Sequence, residues 1–262
     1  PSKFEPEMVE EIRERTKLLL ELRHAIAHDE LRLFVQPIVD GAGAIEGYEA
    51  LVRWQHPTRG LVPPVEFIPL AEQSGLIVDL GAWVLDEACR ILGEWARNAA
   101  QQHLTLSVNV SERQLNPRNF PDAVREALSR HGAPAERLKV EVTESLMHDD
   151  IERSIRVLDE LRATGVQVAL DDFGTGHSSL SYLVKLPVDQ LKIDRSFVLP
   201  ITEDSNGAAI VQAIVELAHV MRLNVVVEGV ETEEQFVLLR ELGVDSFQGY
   251  LFGRPAPLGC NA

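Results

Sequence analysis

Two adjacent aspartates, Asp171 and Asp172, stand where the apolar run Val168-Ala169-Leu170 gives way to Phe173-Gly174-Thr175-Gly176-His177. Adjacent carboxylates repel, and side chains alternate along a strand. The two acids are therefore expected to point in different directions at the strand end, where such a pair can serve two neighbouring cations. The competing reading is that Asp172 caps a turn, a position aspartate favours. Other polar residues recur at or beyond the ends of apolar runs: Glu49 within Tyr48-Glu49-Ala50-Leu51-Val52, Asn109, Glu141 with Glu144, Lys192 with Asp194, Glu228 and Gln248. Each alone has an ordinary explanation as a turn, loop or exposed strand residue. Their recurrence at one kind of position depends for its meaning on the elements that carry them.

Residues 31–39 and 45–54 are strand-like and joined by the short turn Asp40-Gly-Ala-Gly-Ala44. So short a connection joins antiparallel strands only, since a parallel pair needs a crossover of about a dozen residues or more. A proline-rich loop, 57–64, leads into helical segments over 65–73 and 79–97. Strands over 104–110, 139–143, 167–170, 190–193, 224–227 and 246–252 then alternate with helices over 120–131, 151–163 and 207–221. A last helix opens on the capping-box spacing Thr232-Glu-Glu-Gln235. Eight strands in this arrangement predict an α/β fold, a TIM-like (β/α)8 barrel with the first strand antiparallel, with an open doubly wound sheet as the alternative. Trp54, Trp83 and Trp95 lie in apolar-patterned stretches and read as core.

In a barrel the strand ends converge on one face, and the carboxylates gathered there repel unless a cation holds them. The donors are carboxylates and an amide carbonyl, without clustered cysteine or histidine, a set that suits Mg2+ or Mn2+ and argues against structural zinc. Two such cations with Lys192 form a constellation suited to hydrolysing a phosphate ester.

The rest of the composition narrows the partners. Lysine and arginine number 25 against 41 acids, a net charge of −16 that disfavours nonspecific binding to DNA, RNA or anionic membrane. Cys89 and Cys260 are too few and too scattered for a disulfide framework, which predicts reduced thiols and a cytosolic setting. No apolar run reaches the roughly 18 residues of a membrane span. The chain begins at Pro1, as expected of a piece of a longer protein that could carry a membrane anchor elsewhere. Residues 7–29 read as a charged helix with a thin stripe of Met8, Ile12, Leu19, Leu22 and Ile26, suited to docking along a domain or connecting to an upstream one. His24 and His28 on that helix read as a solvated face, since no third metal ligand accompanies them.

Glu49-Ala50-Leu51, followed by Val52-Arg53-Trp54, resembles the signature of EAL-domain phosphodiesterases, which cleave the bacterial second messenger cyclic di-GMP. Further blocks match in order: Asn109 in Ser107-Val-Asn-Val-Ser111, Glu141-Val-Thr-Glu144-Ser145, Asp171-Asp172-Phe-Gly-Thr-Gly176, Lys192-Ile-Asp194-Arg-Ser-Phe197, Glu228-Gly-Val-Glu231-Thr232 and Gln248-Gly-Tyr-Leu-Phe-Gly-Arg-Pro255. The likeness runs from about Leu18 to Pro257, which implies a connector helix over residues 1–29, a barrel over 30–258 and a short tail over 259–262.

The resemblance implies two Mg2+ or Mn2+ ions. Glu49, Asn109, Glu141 and Asp171 would hold the first, with Asp171 bridging and Asp172 completing the second. Water between them would attack one phosphorus in line and open the ring to linear pGpG. Lys192 would position that water and the phosphate, and Glu228 would act beside the second metal as ligand or base. Gln36, Leu51, Arg53, Asp194, Gln248 and Pro255 resemble substrate contacts, Arg53 toward phosphate. Glu144 resembles the residue that ties down the loop after Asp172, a loop that in this family also takes part in dimerisation, so a homodimer is expected. Ca2+ is expected to support binding but inhibit catalysis, its looser shell misplacing the water. The rival reading is a receptor that binds cyclic di-GMP without cleaving it, although every ligand position is intact here. His177 stands where the family has tyrosine, which could make loop ordering pH-sensitive, and Val227 stands where alanine is common. An upstream sensory or diguanylate-cyclase-like domain is expected, with no nucleic-acid polymer and no membrane contact by this segment.

Overall fold

The computed structural model describes residues 4–115, 119–144, 150–174, 183–202 and 205–259. Its strands are β1 (Leu31–Asp40), β2 (Ile45–His56), β3 (Gly60–Val62), β4 (Thr105–Asn109), β5 (Leu138–Thr143), β6 (Gln167–Phe173), β7 (Gln190–Ile193), β8 (Asn224–Val227), β9 (Ser246–Gln248) and β10 (Ala256–Pro257). Runs such as Gln190-Leu-Lys-Ile and Leu138-Lys-Val-Glu-Val are buried along their whole length, as in strands covered on both faces.

Eight of these strands close a barrel in the hydrogen-bonded order β1-β9-β8-β7-β6-β5-β4-β2, with β2 returning to β1. β1 is antiparallel to both neighbours, β2 and β9, while β2 pairs parallel with β4 and the series continues parallel to β9. The expected barrel with its first strand antiparallel is therefore present. β3 and β10 were not anticipated. β3 pairs with the end of β2 and β10 with β1, both antiparallel. Segments this short, bearing glycine or proline, carry no periodicity of their own and are ordered by distant partners. β9 also ends at Gln248, short of the expected 252, where a turn takes over and Val230 N donates to Gln248 O at 3.0 Å.

Helices Ile77–Trp95, Phe120–His131, Ile151–Ala163, Ser205–Val220 and Glu233–Glu241 surround the barrel. The last begins in the expected capping box: Thr232 Oγ1 accepts from Gln235 N at 3.2 Å, and Gln235 Oε1 accepts from Thr232 N at 3.1 Å. Most of the core lies between strands and helices. A second, smaller core joins Leu22 and Ala25 of helix Phe4–Ala27 to Trp54, Phe67, Ala71, Leu76, Ile77 and Leu80. Trp54 and Trp95 are buried and Trp83 packs against both cores, in line with the core reading.

Helix Phe4–Ala27 docks mainly through its second half, since Ile12 is 57% exposed. It is pinned by Arg15 to Gln73 at 2.7 Å and by Arg59 to Glu14 at 3.1 Å. His24 and His28 stack at 3.7 Å between ring centroids and belong to no metal-ligating group among the described residues. No described helix is long and apolar enough to cross a membrane.

Candidate active site

The barrel puts the strand-end residues on one face. Glu49 on β2, Asn109 on β4, Glu141 on β5, Asp171 on β6 and Lys192 on β7 converge, and Glu228 follows β8 directly, its amide donating to Ile193 O at 3.1 Å. Register explains part of this: Asn109 pairs with Glu141, so their side chains share a level, and Asp171 lies two residues beyond Ala169, the partner of Glu141. Glu49, Glu141 and Asp171 are buried, and Lys192 is fully so.

At the centre is the Lys192 ammonium. Its Nζ lies 2.5 Å from Glu141 Oε2, 2.6 Å from Glu228 Oε1, 3.3 Å from Asp171 Oδ1 and 3.9 Å from Glu49 Oε2. Burial alone would lower the pKa of this lysine, but the carboxylates around it hold it well above its usual value. One ammonium does not balance four carboxylates. Burial lifts Glu141 to about 8 against the pull of Lys192, with Glu49 and Asp171 adding to the rise. Burial likewise lifts Glu228 to about 7. Asp172 is raised by burial and then by Asp171 and Asp194. Such a cluster calls for more positive charge, supplied by protons or by metal.

The backbone is irregular at the two aspartates. The β6–β7 register slips between Leu170 and Phe173, and Asp172 has φ 56°, in the left-handed region. A bulge of this kind re-aims a side chain. One carboxylate oxygen from each of Asp171, Asp172 and Glu228 lies within 4.8 Å of the others. Asp172 N also donates to Asp171 Oδ1 at 2.9 Å. Glu141 Oε1 is buried without a hydrogen-bond partner, as a ligand atom would be. The all-oxygen donor set and this orphaned oxygen fit a hard divalent cation.

A chain of amides backs the cluster. Glu49 Oε1 accepts from Asn109 Nδ2 at 2.6 Å, which leaves the Asn109 carbonyl available to a cation. Glu49 Oε2 accepts from Gln248 Nε2 at 2.6 Å, and the same nitrogen donates to Gln36 Oε1 at 3.1 Å. Gln36 Nε2 donates in turn to Gly253 O at 3.1 Å. Of the expected substrate contacts, Gln248 is thus tied directly to Glu49, and Gln36 to it through Gln248.

The other candidates lie around this centre. Arg53 is half-buried with its guanidinium 5.5 Å over the Phe34 ring, and burial lowers its pKa. Leu51 borders a cavity of about 600 Å3 that also reaches Asn109 and Glu141. Asp194 caps the short helix Arg195–Val198, accepting from Ser196 N at 3.0 Å. Pro255 is half-buried next to β10. Glu144 Oε1 accepts from Gly174 N at 2.9 Å, on the residue after β6. Gly174 has φ 95°, and a Cβ there would lie 2.7 Å from the Phe197 ring. The following loop through His177 and Ser179 lies outside the described residues.

Sequence reasoning gave no site role to Ile68, Glu72, Gln73, Ser111 and Arg113, which also line the cavity. Ser111 and Arg113 follow β4 directly, and the loop after a barrel strand belongs to the functional face, so their position could have marked them.

The family model described as EAL domain matches residues 20–255. The bifunctional diguanylate cyclase/cyclic di-GMP phosphodiesterase MucR of Pseudomonas aeruginosa is 46% identical over 255 residues, 97% of this chain and 37% of that protein. The cyclic di-GMP phosphodiesterase NbdA of the same organism is 46% identical over 239 residues, 91% of this chain and 30% of that protein. The chain therefore spans about a third of the length of these relatives. Among solved structures, the MucR phosphodiesterase of P. aeruginosa in complex with c-di-GMP has a TM-score of 0.87 at 47% identity, over 92% of this chain and 98% of that one. The FimX EAL domain of Xanthomonas citri in complex with c-di-GMP gives 0.87 at 26% identity, over 95% and 96%. The acids that close on Lys192 at the barrel's strand ends are those of the matched signature blocks, and the chain belongs to the EAL domain family of cyclic di-GMP phosphodiesterases.

Proposed function

We propose that this chain hydrolyses cyclic di-GMP to linear pGpG with two divalent cations, Mg2+ or Mn2+, held by Glu49, Asn109, Glu141, Asp171, Asp172 and Glu228. The observation that carries the reading is the convergence of Glu49, Glu141, Asp171 and Glu228 within 4.0 Å of Lys192. Support comes also from the likeness to MucR, a bifunctional diguanylate cyclase/cyclic di-GMP phosphodiesterase, and to NbdA, a cyclic di-GMP phosphodiesterase. When bound, the cations supply acidification of water and neutralise charge building on the phosphate oxygens.

The chain's own residues do the rest. Lys192 orients the attacking water and the phosphate through its ammonium. Glu228, its Oε1 2.6 Å from Lys192 Nζ, takes the water's proton as general base. The water oxygen bonds to phosphorus as one P–O ester bond breaks, and the departing oxygen takes up a proton to become the free hydroxyl of the opened ring. Arg53 meets a phosphate, while Gln36, Leu51, Asp194, Gln248 and Pro255 hold the remainder of the substrate. Glu144 holds Gly174, and with it the entry to the following loop. A homodimer, a cytoplasmic setting and an upstream sensory or cyclase-like domain belong to the same proposal, the last in keeping with the greater length of MucR.

Incubating the protein with cyclic di-GMP and Mg2+ or Mn2+, then resolving the products, tests the reading. Appearance of pGpG supports it; intact, tightly bound cyclic di-GMP under either metal would favour the receptor.

A further inference from the structure

Gln114 lies on the one-turn helix Glu112–Leu115, just past β4, and is 5% exposed. Its side chain folds back on its own loop. Gln114 Oε1 accepts from Ser111 N at 3.0 Å, while Gln114 N donates to Ser111 O at 3.0 Å. Ser111 Oγ is buried and makes no hydrogen bond, so the turn is held by one half of a capping box, the glutamine half.

The Gln114 carboxamide rests on Gly81, in the interior of helix Ile77–Trp95. A Cβ at Gly81 would come within 1.7 Å of Gln114 Nε2 and 2.4 Å of its Cδ. Glycine inside a helix is disfavoured relative to alanine. At this position it makes room for one side chain.

What that side chain fastens matters to the site. The loop it closes leaves β4 directly after Asn109, whose amide donates to Glu49 at 2.6 Å. Val110 N donates to Glu141 O at 2.9 Å, so the loop is also joined to the strand that carries Glu141. Residues 110–114 and Gly81 all border the cavity of about 600 Å3 beside Asn109 and Glu141.

The geometry points to Gln114, seated on Gly81, as a positioning residue for the carboxylate cluster. It fixes the loop that presents Asn109 to Glu49 and Glu141, and so sets how tightly that end of the cluster takes a divalent cation. The inference rests on reading the cluster as a divalent-cation site. Gln114 acts on the cluster through this loop.

The test separates stability from metal affinity. Mn2+ binding to the purified chain is measured by calorimetry, with thermal melting of each variant in chelator alongside. Gly81→Ala meets only the far end of a flexible side chain and gains helix propensity, so it folds while displacing the carboxamide. Gln114→Met keeps the length of the side chain and removes its hydrogen bond. Both are expected to bind Mn2+ about tenfold more weakly, the scale of losing an outer-shell contact at a metal site. Gly81→Ala should nonetheless melt no lower than the parent. Gln114→Glu, which keeps the Oε acceptor, should restore binding.

Parent-like Mn2+ affinity in both Gly81→Ala and Gln114→Met overturns the inference. So does an affinity loss that tracks a falling melting temperature from variant to variant, which marks a merely structural role. If the parent itself binds no Mn2+, the cation-site reading fails and this inference with it; if the parent binds and the variants match it, only the positioning role fails.

Discussion

Lys192 Nζ lies 2.5 Å from Glu141 Oε2, an ion pair wholly removed from water at the middle of the barrel mouth. A buried pair of this kind adds little net stability while whole, but removing one partner leaves a charge without compensation. Here the remaining side would be a group of carboxylates. Lys192→Met is therefore expected to destabilise the metal-free protein by about 3–5 kcal/mol. Added Mn2+ should recover much of that loss, because it replaces the missing positive charge. Denaturant titrations with chelator and with Mn2+ would read both effects; equal stability of parent and variant in chelator would refute the ion-pair assignment.

The same cluster sets a pH dependence. Glu141 is raised to about 8 and Glu228 to about 7 by burial, from an ordinary value of 4.5. Between those limits the folded protein binds more protons than the unfolded chain, so stability falls as pH rises through about 7 to about 8. The metal-free protein should melt higher at about pH 6 than at about pH 8, and the gain from Mn2+ should be larger at about pH 8, where protons no longer compete for the carboxylates. Melting curves that move the other way in chelator would contradict the burial of these acids.

Cys89 offers a check away from the site. Burial, with Asp86 adding to it, pushes the thiol up to about 12. A thiolate is the reactive form, so Cys89 should resist a maleimide at neutral pH while the protein is folded and react promptly once it is unfolded. Peptide mapping after labelling would locate the modification. Rapid native labelling at Cys89 would be inconsistent with its packing between helix and barrel.

Glu144→Ala removes the acceptor for Gly174 N, one residue beyond the strand that carries Asp171 and Asp172. Loss of such an outer contact should weaken Mn2+ binding by about 10- to 100-fold. Isothermal titration of parent and variant measures this. Unchanged Mn2+ affinity would leave Glu144 with no part in holding the acids in place.

The chain announces most of this architecture through residue type. Asn109, Glu141, Asp171, Lys192 and Glu228 each interrupt or end an apolar run, and the alternation of strands with helices brings those ends to one face. The conformation at Asp172, φ 56°, was hidden because it goes with the slip between β6 and β7, and aspartate tolerates the left-handed region without announcing where it adopts it. β3 and β10 were hidden because their pairing depends on β2 and β1. The seat of Gln114 on Gly81 joins residues distant in sequence, and a lone glycine in a helical pattern does not say what it makes room for.

The most direct test of the proposed activity compares the parent with Glu49→Ala, each incubated with cyclic di-GMP and Mn2+ while pGpG is followed over time. Glu49 holds Asn109 and Gln248 through its two oxygens and faces Lys192, so its loss removes a clamp on the cluster. The expected result is linear pGpG from the parent and none from Glu49→Ala, with both proteins folded. Intact cyclic di-GMP from the parent, or equal turnover by the variant, would contradict hydrolysis by this cluster.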